Sequence, residues 1–371
     1  MDHNAGTRIL NAGIPNEGLL SLQRDLFYLK TIKMNKTNQT VSYFIIRGIS
    51  ELPELMLPVF LLVLLLYLSI LSGNMTILLL VFGDHRLHTP MYFFLANLSI
   101  LDISSTAVTL HKILTAFVTG NRTVSFAECM AHAYFFMALQ CTILLMLAAM
   151  SYDRFLAICN PLHYHMVMSP KLCVLLAFLC WLAGFVEVIH HIYLLSHFTC
   201  YTSNYVDHFF CSVLQLIKLS CSDTSLLKLL IDIQSTFISG LLPLLMTVIP
   251  YIFIILAILK IHSSTGRHKA FYTCSSHLTV VILLYVTLYL PPTLKDTLGS
   301  PKLFSLFNAV AVPLLNPLIY SLKNTEVKSA MKRLFKPLHD SLNQYFNFQQ
   351  TPKKSGQCVK NASQQIDLSF D

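Results

Sequence analysis

Residues 55–83 read LMLPVFLLVLLLYLSILSGNMTILLLVFG, an uncharged run bounded by Glu54 and Asp84. A helix rises about 1.5 Å per residue and the hydrocarbon layer of a bilayer is about 30 Å thick, so about 20 apolar residues suffice to cross it. The run exceeds that need. Four more stretches have no Asp, Glu, Lys or Arg between their bounding residues: Glu128 to Asp153, Asp232 to Lys260, Lys269 to Lys295, and Lys302 to Lys323. Two others are apolar but interrupted by an acid, Met91 to Phe117 by Asp102 and Leu172 to Leu195 by Glu187. In lipid every backbone polar group must be satisfied internally, which leaves helices or closed barrels, and barrel strands of about 10 residues are far shorter than these runs. The expected fold is all-α, a seven-transmembrane-helix bundle.

Composition agrees. Of 371 residues, 54% are hydrophobic and 12% charged, against about 25% charged in a soluble domain. Mean hydropathy is +0.60. These values exclude a disordered chain, a fibre and an ordinary soluble enzyme. The net charge of +8 lies largely in the two tails and at helix ends, where a phospholipid surface explains it better than nucleic acid does. Lys323, Lys328, Lys332, Arg333 and Lys336 follow the last span. Positive residues stay inside, so the carboxyl end is expected in the cytoplasm and the amino end outside a plasma membrane crossed seven times. The segment from Asn324 to Leu338, with Val327, Met331, Leu334 and Phe335 among Lys and Arg, reads as an amphipathic surface helix. The expected organisation is therefore an outer segment 1–54, a bundle 55–322, a surface helix 323–338 and a disordered tail 339–371 rich in Gln, Asn, Ser and Lys.

Sequons at Asn35 and Asn38 precede the first span, and another at Asn121 falls in a loop on the same expected side. No cleavable signal peptide is visible; the first helix would direct insertion. Cys129, Cys200, Cys211 and Cys221 fall on the outer side, an even set that allows three pairings. Cys141, Cys173 and Cys180 lie within helices, while Cys159, Cys274 and Cys358 are expected to face the cytosol.

Polar residues at membrane depth default to function. Asp102 lies about 18 Å along the helix that begins near Pro90; Asn74 and Asn316 are its expected neighbours. It either ties helices together or forms a polar hub that differs between two helix arrangements. Asp153 and Arg154 end the third helix, about 38 Å from Cys129. Being adjacent they do not stack on one face, and Arg154 can snorkel to water. Fifteen His invite a metal reading, but the adjacent pair His190–His191 points two ways and no HxxxH pair stands near the outer face, so polar loop contacts are preferred. No cofactor is expected. A transporter would need helices broken at mid-depth, and an intramembrane enzyme would need paired aspartates, HExxH or a Ser/His couple. Pro243, Pro250, Pro291, Pro292, Pro313 and Pro317 break helices mostly near their ends, Asp102 stands alone and HExxH is absent.

The words around Arg154 carry more weight than the pair. They are Met150-Ser151-Tyr152-Asp153-Arg154-Phe155-Leu156-Ala157-Ile158-Cys159, preceded by Leu87-His88-Thr89-Pro90-Met91-Tyr92-Phe93-Phe94-Leu95. Lys269-Ala270-Phe271-Tyr272-Thr273-Cys274-Ser275-Ser276-His277-Leu278 and Pro313-Leu314-Leu315-Asn316-Pro317-Leu318-Ile319-Tyr320 follow. This set, in this order, resembles the odorant receptors, a branch of the rhodopsin-like G-protein-coupled receptors, from about Thr40 to Phe335. Ser151, Phe155 and Tyr272 depart from the family's Ala, Tyr and Ser. Leu284-Tyr285-Val286-Thr287 departs from its Phe-Tyr-Gly-Thr, and Ile143 stands where many members carry a second acid. Met34 stands near the family's usual start, so residues 1–33 read as an atypical extension.

The resemblance implies bridges Cys129–Cys211 and Cys200–Cys221 pinning a long loop over the bundle. It implies a pocket for a small, mostly apolar volatile, lined by Phe136, Met137, Gln140 and Cys141 on the third helix, Ser235 and Ser239 on the fifth, and Tyr285 and Tyr289 on the sixth. Phe136 stands where amine receptors carry an acid, which disfavours a cationic amine. It further implies an activation set of Asn74, Asp102, Asp153, Arg154, Tyr251, His277, Asn316, Pro317 and Tyr320, and partners that are an odorant, membrane lipid and a stimulatory olfactory-type G protein raising cAMP. A chemosensor of the same fold for a non-volatile metabolite is the alternative.

Overall fold

The computed structural model describes residues 41–49, 53–198, 200–289, 301–334 and 336. The sequons Asn35 and Asn38, Cys358 and the segment 339–371 lie outside the described residues.

The apolar runs become helices with legible ends. α1 spans Pro53–Gly83. α2, Pro90–Thr119, starts with proline at its first turn behind an extended Thr89 and ends at Gly120, whose φ of 69° is the left-handed stop that glycine adopts without strain. α3, Phe126–Cys159, is capped by Ser125, whose hydroxyl accepts from the Glu128 N–H. α4, Pro170–Ser196, is capped by Ser169 in the same way and runs unbroken through Glu187. α5 spans Ser225–Leu259 and widens over Gln234–Leu241 into a π-helical turn. α6, Ser264–Tyr289, bends by 44° between its stretches Ser264–Tyr272 and His277–Leu288. α7, Pro301–Lys323, contains Pro313 and Pro317. Among the described residues six helices are long and apolar enough to cross a membrane, and bent α6 makes seven.

α3 is the axis of the bundle. It carries buried residues around most of its circumference, from Cys129 to Leu156, and packs against α2, α4 and α5. The main core joins Leu98 and Leu101 of α2, Ile143 and Leu147 of α3, Val281 and Leu284 of α6 and Val312 of α7. α1 turns Leu61, Leu62, Leu65 and Leu68 outward, the pattern of a helix whose solvent is lipid. After Asn324 the chain turns into α8, residues 325–334. Its Val327 and Ala330 enter the core with Met331 packed beside them, while Leu334 is exposed.

The sequence reading of an all-α chain needs one addition. At the end of the bundle near Cys129, β1 (Tyr43–Ile46) pairs antiparallel with β2 (Thr123–Ser125) and parallel with β3 (Tyr205–Val206). The strands have four, three and two residues, too short to carry an alternation that sequence could reveal. They form because three loops converge there and must satisfy their backbone groups.

Candidate functional site

The sheet-bearing end is a lid. Cys129 at the start of α3 is bonded to Cys211, and Cys200 to Cys221, as the resemblance implied. The first bridge ties 82 residues of chain. Phe44, Tyr201, Val206 and Cys211 form a small core of their own there with Cys129 and Val124. Asp207 faces Lys302 of α7 at 2.6 Å and Arg47 at 3.9 Å, and Lys302 holds its carboxyl below the usual range. His208 is buried against Phe209 and Phe210, and this burial pushes its pKa down to about 4.

Deep in the bundle, the Asn316 amide donates to Asp102 at 2.7 Å. Among the described residues Asn74 makes no hydrogen bond to Asp102. Its amide donates to the Pro313 carbonyl at 3.0 Å. The reason is Pro317, four residues on, which has no N–H to return to Pro313; the orphaned carbonyl takes its donor from α1. Gly73 lets α1 come close enough, since a Cβ there would stand 2.9 Å from the Pro317 ring.

At the other end of α3, Arg154 folds back onto Asp153. Its Nε donates to Oδ2 at 3.0 Å, and Nη2 reaches the same oxygen. Adjacency does keep the two Cβ atoms apart, but the arginine is long enough to curl onto its neighbour, so it is largely buried instead of snorkelling to water. The Tyr164 hydroxyl donates to the free Asp153 oxygen at 2.8 Å. Nearby, the Tyr251 hydroxyl lies 2.7 Å from His277 Nδ1, and Tyr251 packs with Ile254, Ile258 and Cys274 against Phe155. Cys274 is thus buried, not facing solvent as the sequence suggested. Tyr320 is buried in the main core with Val327 of α8. Tyr92 of α2 donates to Asn324 and Glu326 at 3.0 and 2.8 Å, and Arg333 of α8 pairs with Asp84.

The residues expected to line a ligand pocket separate into groups. Phe136 packs on Phe210 of the lid, ring centroids 4.7 Å apart. Met137 packs beside Ala138 and Val188. The Gln140 amide donates to Ser105 of α2 at 3.3 Å. Tyr285 is buried in the main core, and the Tyr289 side chain lies outside the described residues. Cys141 lies 3.7 Å from Ser239. Ser235, by contrast, is on the exposed side of α5. Pairing it with Ser239 assumed α-helical spacing. Gln234, at the start of the π-helical turn, is buried in its place, and Ser239 is partly buried. Glu187, in the sequence only an interruption of the fourth run, accepts a hydrogen bond from Ser239 at 3.0 Å. The rings of His190 and His191 lie 3.8 Å apart despite their adjacency.

The seven-helix arrangement is that of a rhodopsin-like receptor. The crystal structure of squid rhodopsin superposes with a TM-score of 0.59 over 77% of this chain and 82% of that chain, at 17% identity. The olfactory receptor family model matches residues 63–337. Human olfactory receptor 6C3 is 41% identical over 304 residues, 81% of this chain and 97% of its own. Mouse olfactory receptor 5AR1 is 42% identical over 305 residues, 81% and 98%. The chain belongs to the olfactory receptor family of G-protein-coupled receptors; it is a multi-pass membrane protein and a receptor, not an enzyme.

Proposed function

We propose that this receptor binds a small, mostly apolar volatile within the bundle, beneath the disulfide-pinned lid, and activates a stimulatory olfactory-type G protein that raises cAMP. The lid end faces outward at the plasma membrane and the Arg154 end faces the cytoplasm, with residues 1–54 outside, 55–322 in the bundle, 323–338 on the inner surface and 339–371 as a cytoplasmic tail. Asn35 and Asn38 are the glycosylation sites.

The observation that carries this reading is the closed cluster at the end of α3. Arg154 is engaged by Asp153, and Asp153 by Tyr164. A buried arginine whose one ion pair among the described residues is with its neighbour is a group held in reserve. Ligand binding beneath the lid favours an arrangement in which α6 moves outward, the Tyr251–His277 contact opens, and Arg154 is freed to meet the G protein. The bend in α6 and the Pro317-relieved α7, held through Asn316 to Asp102, are the elements with two arrangements. Such a shift requires a ligand with different affinities for the two states.

Odorant-evoked cAMP in cells co-expressing the olfactory-type G protein tests the reading. Arg154→Ala abolishes the response at unchanged surface expression. A normal response from that variant refutes the scheme.

A further inference from the structure

Three helices bring polar groups together at one level of the bundle: Cys141 on α3, Glu187 on α4 and Ser239 on α5. Gln234 opens the π-helical turn that holds Ser239. It is 4% exposed, and neither of its amide atoms has a hydrogen-bond partner among the described residues. His191, four residues from Glu187 and so on its face of α4, is fully buried. A carboxyl at this depth is costly unless something compensates it. Among the described residues Glu187 has the Ser239 hydroxyl and the Cys141 thiol as partners, and no Lys or Arg in an ion pair.

We propose that Glu187 is the ligand-selecting group of this receptor, and that its carboxyl, presented with Ser239 between α4 and α5, pairs with the nitrogen of a small aliphatic amine. The inference rests on the reading that the ligand binds within the bundle, and it revises the ligand class. Phe136 removes the counter-ion from α3, but a counter-ion on α4 serves an ammonium as well. A charge-assisted N–H···O bond to the carboxylate is stronger than any bond an alcohol can make there, and a carboxylic acid in its anionic form is repelled. Met137 and Val188, in one apolar cluster with Cys141, supply surface for the alkyl chain.

The full-length receptor in phosphatidylcholine nanodiscs, heated with n-heptylamine, n-heptanol or n-heptanoate, tests the assignment. The expected result is a saturable rise in melting temperature with n-heptylamine. Glu187→Gln, which can still accept the Ser239 hydrogen bond, weakens the apparent amine affinity at least tenfold and leaves n-heptanol unchanged. Glu187→Asp keeps the amine preference. No stabilisation by n-heptylamine, or equal stabilisation of the wild-type and Gln chains, overturns the proposal. Should the Gln variant fail to fold, an Asp variant without amine preference overturns it equally. A parallel cAMP assay separates the two readings. Glu187-dependent amine binding without cAMP refutes the coupling and leaves the ligand assignment standing. Neutral odorants that signal equally through both chains, with no amine stabilisation, do the reverse.

Discussion

Gly184→Ala places a methyl group where α4 crosses α3 at close range. A Cβ at Gly184 of α4 would collide with the Thr142 hydroxyl of α3 and stand 2.8 Å from its backbone nitrogen and 3.0 Å from its Cα. A side-chain clash alone could be relieved by rotation. Two of these three atoms are backbone in the central helix, so α4 must move. Overpacking of this kind costs about 1–3 kcal/mol, which for a chain of this size lowers the melting temperature by about 1–4 °C. The displacement also reaches function. Glu187 lies three residues along α4, and a shift of a few tenths of an ångström stretches its 3.0 Å bond to Ser239. Thermal unfolding in nanodiscs reads the first effect. The second reads as weaker binding of n-heptylamine at a temperature where the variant is still folded. Adding Thr142→Ala relieves the hydroxyl clash but not the backbone ones, so it restores only part of the loss. An unchanged melting temperature for Gly184→Ala, or full rescue by Thr142→Ala, refutes the argument that backbone proximity sets this crossing.

Asp153→Asn removes the charge that holds Arg154; hydrogen bonds to charged groups contribute about 1.5–3 kcal/mol, so basal cAMP at matched surface expression rises about tenfold or more, and an unchanged basal level rejects the held-in-reserve reading. Cys129→Ser opens a loop of 82 residues, worth about 4–5 kcal/mol in the chain-entropy limit, and the variant is expected to be lost from the cell surface. The depressed pKa of His208, about 4 through burial, makes the lid pH-sensitive. An unfolded histidine binds its proton near pH 6.5 and the buried one does not, so lid stability is fully present above that pH and falls as the pH drops towards 4. Protection factors at 43–46 and 205–206, corrected for the intrinsic pH dependence of amide exchange, should fall between pH 7.5 and pH 5, and His208→Phe should remove the dependence. Asn324→Ala deletes the cap that accepts the Glu326 and Val327 N–H groups, costing about 1 kcal/mol, and exchange confined to 325–334 should report it.

The course of the chain through the membrane was legible in the amino-acid order because its cause is local. Burying a backbone in hydrocarbon demands uncharged runs of fixed minimum length, and Leu55–Gly83 or Lys302–Lys323 meet that demand whatever surrounds them. The start of α2 near Pro90 was legible for the same reason, whereas the ends at Ser125, Ser169 and Gly120, though equally local in cause, were located by the structure. The motifs around Arg154 and Asn316 pointed to the family before any helix was placed. What the residues next to one another could not specify were properties of pairs far apart in sequence. The parallel and antiparallel pairing of three short strands, the gift of the Asn74 amide to a carbonyl orphaned by Pro317, and the bond from Ser239 to Glu187 each depend on two helices or loops meeting at a particular depth and rotation. The π-helical turn is the clearest case. Where α5 widens, Gln234 is buried and Ser235 exposed, because the rotation of the helix answers to packing across the bundle and not to the spacing of serines along the chain.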